Sequence, residues 1–309
     1  MINRILIRIK IVQLVFAFYK SGEKEYKVAE KELFYSFEKT YELYFYLLLL
    51  AVEITRYAQQ KIDNALHKFR PTNEELEPNR LFANNLFINQ LEKNEQFLRF
   101  VKEKNISWAN HQEVIKSLYE TMIKSPIYDD YMRHSQNNYQ ADKELWRQFF
   151  RHEILENELL ESTLEEQNIY WCTEIDFVIS FILKTIKRFE ASKEQFQPLM
   201  PMFNHQDDQE FARQLFSDTI NKADQNRQLI DEFTKNWELD RIAFMDVVIM
   251  MVALAELESF PTIPINVTLN EYIEIAKQYS TEKSATFVNG VLDKIVEHFR
   301  EKGALLKVG

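Results

Sequence analysis

Apolar residues recur at helical spacing from the start of the chain. Ile5, Ile9, Val12, Phe16 and Tyr19 follow i, i+4, i+7, i+11 and i+14, one stripe on one helix face. Gly22 stands where that helix would end. A second helical stretch opens near Val28 and runs to about Phe69. Its apolar run, Tyr44 to Val52, reads as a buried helix turn, since about 20 apolar residues are needed to span a bilayer. Pro71 and Pro78 bracket a polar linker. Helical patterns return at 79–104 and 110–124, residues 125–140 read as a long polar loop, and further helices are expected at 142–165 and 173–191. Pro198 and Pro201 mark a boundary at 197–208. Beyond it, helices are expected at about 208–235, 239–258, 268–279 and 284–301. Pro261 and Pro264 forbid helix between the second and third of these, and Asn266 or Thr268 can cap the third.

Composition agrees with helices and removes several alternatives. The 309 residues include only four glycines, where average usage of about 7% would give roughly 22. A many-turned β sandwich or barrel is therefore excluded, and no glycine-rich phosphate loop can be written. The expectation is an all-α protein. Its net charge of −10 leaves no global basic footprint for nucleic acid, so any such site must be local. The lone Cys172 fits a reducing, cytoplasmic setting. The apolar start is broken by Arg4, Arg8, Lys10 and Gln13, and no small-residue cleavage site follows, so neither an export signal nor a membrane segment is expected.

Catalytic and metal motifs are missing. No H-E-x-x-H, C-x-x-C or G-x-S-x-G occurs, and the six histidines lack ligand spacing. His205 with Asp207 and Asp208 reads as the acidic start of a helix rather than a metal site. Cys172 reads as a small packed residue, and Arg151-His152-Glu153 as a solvated face. No enzyme, cofactor or metal is expected. Between 142 and 176, ten acidic residues face three basic ones, a net −7.

Against that background the first 20 residues carry Arg4, Arg8, Lys10 and Lys20 and no acid. Arg4 and Arg8 lie one turn apart, Lys10 points elsewhere, and Gln13 lies near Lys10. Two readings fit: an RNA-facing helix with cations on phosphates and Gln13 on a base edge, or an ordinary helix with solvated basic residues.

The stretch 236–298 bears on that choice. It holds Ala253-Leu254-Ala255-Glu256-Leu257, then Ile263-Pro264, then Val267-Thr268-Leu269-Asn270-Glu271 and Tyr272-Ile273-Glu274-Ile275-Ala276-Lys277. It closes on Phe287-Val288-Asn289-Gly290-Val291-Leu292-Asp293-Lys294. In order and spacing this resembles the NusB family of transcription antitermination factors. Val12-Gln13 and Phe16 match the family's first helix, and the helix at 210–222 resembles the one preceding the signature. Tyr272, Ile275, Ala276 and Tyr279 form one packed face, and Ser280, Thr281 or Ser284 can cap the last helix. Phe287 is either core or an exposed stacking platform. Gly290 inside a helical pattern suggests close approach of another element.

The resemblance implies a double helical bundle and no catalysis. It implies binding of a boxA-type single-stranded RNA with a small-subunit ribosomal protein acting as NusE, in an RNA polymerase antitermination complex that reads through ribosomal RNA operons. It carries over Arg4, Arg8, Gln13, Phe16, Phe287 and Asn289 as RNA-binding residues. Lys10 and Lys283 join them from charge and position, and Asp246 is a candidate partner contact. A homodimer paired through the RNA surface is compatible with the family. The likeness covers about 1–20 and 206–300. The expected organisation is therefore a first helix at 1–24, a helical insertion at 25–205 and a C-terminal bundle at 206–309. Two other readings compete: a helical interaction scaffold without RNA binding, and an accessory domain related to RNA cytosine methyltransferases. The second needs a glycine-containing α/β domain and a catalytic cysteine after the helical part.

Overall fold

The computed structural model describes residues 1–22, 25–235 and 242–303. Every regular element among them is helical, and the one β contact is an isolated parallel bridge between Ile2 and Phe203. The all-α expectation holds. The chain forms two compact units, one of Met1 with 38–202 and one of 2–37 with 203–309.

Helix α1 (Arg4–Ser21) begins at Asn3, whose side chain accepts from the Leu6 N–H at 3.0 Å. It stops at Gly22, where φ is 72°, a left-handed value that a side chain resists. The expected stripe is not the packed face. Ile5 is 47% exposed, whereas Leu6, Ile7, Ile11, Val12, Leu14 and Val15 are buried. Apolar residues encircle this helix, so periodicity alone does not pick out its inner side. Helix α2 (Tyr26–Leu66) then runs unbroken for 41 residues and contributes to both units.

In the 38–202 unit, Tyr44 to Val52 are buried, as expected. The Tyr46 ring stacks on Trp108 at 4.0 Å and on Trp171 at 5.1 Å. Both indoles donate to α2 carbonyls, those of Tyr46 and Lys39. The helices that follow are α3 (Asn73–Leu76), α4 (Leu86–Glu92), α5 (Glu95–Glu103), α6 (Gln112–Lys124), α7 (Pro126–Met132), α8 (Tyr139–Phe149), α9 (Glu158–Gln167) and α10 (Ile175–Arg188). The helix expected over 79–104 is divided because Asn85 and Asn94 cap α4 and α5, accepting from the N–H groups of Ile88 and Phe97. The loop expected at 125–140 contains α7. Ser125 caps it and Pro126 takes its first position, where a missing N–H costs nothing. The helix expected over 142–165 is interrupted by a π turn at Phe150–Ile154 and restarted by the Asn157 cap.

The other unit adds α11 (Gln206–Asn221), α12 (Ala223–Thr234), α13 (Phe244–Ser259), α14 (Ile265–Tyr279) and α15 (Ser284–Glu301) to α1. The expected start at 239 lies outside the described residues. Helix α13 is buried almost all round and packs against α1, α11, α12, α14 and α15, so it is the axis of the unit. Helix α14 starts directly after Pro264, ahead of the expected caps, because Thr268 is engaged in the interior.

Candidate functional site

The site is built around a charge that the sequence placed outside. Arg8 is 3% exposed. Its Nε and Nη2 donate to the Glu256 carboxylate at 2.7 and 2.9 Å, a bidentate pair. Thr268 Oγ1 and Tyr272 Oη donate to the same carboxylate at 2.8 and 3.0 Å. Burial pulls the Arg8 guanidinium down, but the hydrogen bonds and charge of Glu256 outweigh it and hold its pKa above the ordinary value. Burial first, then the Glu256 charge, push the Tyr272 phenol well above its ordinary range. Arg8 is thus a strut between α1, α13 and α14, and its assignment to RNA is corrected. Lys10 is corrected likewise: at 1% exposure it cannot reach a phosphate. Neither residue adds to a surface footprint, because an arginine and a lysine inside a helical unit are read from sequence as solvated by default.

Arg4 remains at the surface, its side chain 43% exposed. Its Nε lies 3.4 Å from Asp208 Oδ1, and its guanidinium sits 4.9 Å from the centre of the Phe211 ring. Gln13 and Phe16 are half-buried. Phe16 packs on Phe244 at 5.5 Å, and Lys20 Nζ lies 4.9 Å from the same ring. The Arg227 guanidinium is 4.4 Å from the centre of the Tyr19 ring. This cation–aromatic group of Phe16, Tyr19, Lys20, Arg227 and Phe244 was not expected beyond Phe16. The spacing of Phe16, Tyr19 and Lys20 on one helix face is the signal that pointed to it.

Asp246 is 4% exposed and accepts from Ser280 Oγ at 2.6 Å and Ser284 Oγ at 2.9 Å. It anchors the start of α15, which corrects its assignment as a partner contact. It also explains why neither serine caps the helix directly. Lys283 is the exposed residue before α15, and Phe287 and Asn289 are half-buried in its first turns. Asn289 Nδ2 donates to Asp293 at 3.0 Å. A Cβ on Gly290 would meet nothing within 4 Å among the described residues, so none of them packs closely on it and the close-packing expectation is corrected. Asp207 and Asp208 lie in the first turn of α11, as expected of an acidic helix start. Among the described residues no group of three His, Cys, Asp or Glu is placed to hold a metal, and no helix is long and apolar enough to cross a membrane. Burial, with help from Glu165, raises the Cys172 thiol, the reverse of an activated nucleophile.

Comparison with known proteins covers most of the 203–309 part of this unit and the end of the 38–202 unit. The NusB family's sequence model matches residues 180–297. Transcription antitermination protein NusB of Salinibacter ruber is 38% identical over 110 residues, covering 36% of this chain and 69% of the relative. The protein of the same name in Chloroherpeton thalassium is 43% identical over 102 residues, covering 32% of this chain and 48% of the relative. That of a Geobacter species is 35% identical over 128 residues, covering 41% and 87%. A solved NusB structure from T. maritima is 29% identical over 48% of this chain and 82% of its own, with a TM-score of 0.29.

Proposed function

The chain belongs to the NusB family, and from that premise we propose that it is a non-catalytic transcription antitermination factor. In this reading the unit of 2–37 and 203–309 binds a boxA-like single-stranded RNA together with the ribosomal protein acting as NusE. The resulting complex promotes read-through by RNA polymerase in ribosomal RNA operons. The helical insertion, expected over 25–205, corresponds in this reading to the 38–202 unit. The observation that carries the reading is the Arg8–Glu256–Thr268–Tyr272 network. It ties the first helix to the two signature helices, so both halves of the resemblance belong to one compact unit. The RNA-facing set becomes Arg4, Gln13 and Phe16 on α1, with Lys283 just before α15 and Phe287 and Asn289 on it.

The test is binding of labelled boxA-like RNA, with and without the ribosomal partner, across a salt series. Arg4→Glu should weaken binding and lower the salt slope by about one phosphate contact. Phe287→Ala should weaken it with little loss of thermal stability. Binding equal to wild type in both variants refutes the assignment and leaves the scaffold reading in place.

A further inference from the structure

An exposed turn of the 38–202 unit is held from several sides by side chains of neighbouring helices. Ala191–Phe196 is a short 3-10 turn in which all six residues are exposed. Gln90 Nε2 donates to the carbonyls of Glu190 and Glu194 at 3.0 and 2.8 Å, and Gln90 Oε1 accepts from the Tyr139 hydroxyl. Asn94 Nδ2 holds the Gln197 carbonyl at 2.7 Å, and Lys143 Nζ holds that of Phe189 at 2.7 Å. Within the turn, Glu194 sits at φ 46° and ψ −134°, a conformation that only glycine adopts cheaply. The fold thus fixes a strained shape that faces solvent, with Phe196 64% exposed at its end. Shape fixed in advance lowers the ordering cost of binding.

Two concavities flank the turn, of about 260 and 400 Å³, and a third of about 360 Å³ lies between α8 and α10. Gln195 lines the first two, and the consecutive residues Tyr139 and Gln140 line the second and third. Each contains an exposed cation that forms no ion pair among the described residues: Arg99, Lys93 and Lys187 in turn; the third also holds Lys143, which is taken by backbone carbonyls. Each also contains a side-chain carboxamide, from Gln195, Asn89 or Gln140. Rings stand at the first two, Phe196 and Tyr139. Of the acids, Glu144 is taken by Arg147 at 2.7 Å, while Glu95 and Glu194 remain. The charge surplus is small, so charge alone does not define the ligand. Cations for phosphates, carboxamides for base edges and rings for base faces describe single-stranded nucleic acid. An acidic peptide could also use the cations, and competition between the two decides between them.

We propose that this track binds single-stranded RNA, about one nucleotide to each concavity, as a contact separate from the RNA-facing set on α1 and α15. The test uses the full chain and a fluorescein-labelled uridine 12-mer, which carries no boxA sequence, read by anisotropy at several salt concentrations. Phe196→Ala should weaken binding about tenfold, within the range of one lost stacking contact. Lys93→Glu/Arg99→Glu/Lys187→Glu should weaken it at least as much and flatten the salt slope by about 2. All four positions are exposed, so circular dichroism and melting should match wild type. Arg4→Glu is run in parallel. Loss of the 12-mer in the track variants but not in Arg4→Glu supports the track, whatever becomes of boxA binding. Unchanged binding in the track variants, loss in Arg4→Glu alone, no binding by wild type at low salt, or displacement by an equal concentration of a polyglutamate peptide each overturns it.

Discussion

Glu256→Gln tests the arrangement on which the antitermination reading rests. The carboxylate receives four hydrogen bonds, two from Arg8 and one each from Thr268 and Tyr272. A glutamine there turns an N–H pair toward donors. The hydroxyls can rotate and accept, but the guanidinium cannot. One charge-assisted bond is lost, and a cation that is 3% exposed keeps only the more distant Glu271 carboxylate, at 3.8 Å. Breaking such a pair from one side costs about 3–5 kcal/mol. For a unit of this size that is a fall in Tm of roughly 10 °C. Calorimetry is the appropriate assay, because three of the four tryptophans, Trp108, Trp146 and Trp171, lie in the other unit and would mix its transition into a fluorescence signal. Arg8→Met should cost a similar amount. The pair Arg8→Met/Glu256→Leu should recover at least half of either loss, since no charge then remains buried. A cost under about 1 kcal/mol for Glu256→Gln, or a double variant no better than the worse single one, would refute the reasoning.

Three further outcomes are expected. Gly290→Ala should stabilise α15 by about 0.5–1 kcal/mol in thermal melts of the free chain, because its site is open and helical. Asp246→Ala should cost about 1–3 kcal/mol in denaturant unfolding by stranding the Ser280 and Ser284 hydroxyls, with Asp246→Asn costing less. Stability should also fall in alkali. Burial lifts Tyr41, Tyr46 and Tyr139 each to about 12 from an ordinary 10. Their neutral forms favour the fold fully below pH 10, and that contribution is lost as pH rises toward 12. Absorbance titration should show these phenols ionising late and together with unfolding; early ionisation of all the tyrosines in a still-folded chain would contradict it.

The elements whose ends are written in local chemistry were legible in the sequence. Gly22 stopped α1, Pro264 preceded α14, and the F-V-N-G block fell on α15. Elements divided by side chains reaching backward were not. Asn85 and Asn94 interrupt an apolar period that continues through them, and Ser125-Pro126 starts a helix inside a polar stretch. In the candidate site, Arg4 stayed at the surface where charge placed it, while Arg8 and Lys10 went inside. The clue to Arg8 lay 248 residues away, in the single acid of the Ala253–Leu257 run. An acid in so apolar a helix needs a buried cation, but nothing local says which one.

That separation has a consequence for synthesis. At about 5–20 residues per second, Glu256 leaves the ribosome roughly 12–50 s after Arg8. The whole 38–202 segment is complete in the interval. For that time the first helix exposes an apolar circumference and an unmatched cation, with its partner helices still unmade. A nascent chain in this state is a natural client for chaperones, and truncation between residue 202 and the α13 codons should yield a product whose middle folds and whose beginning does not.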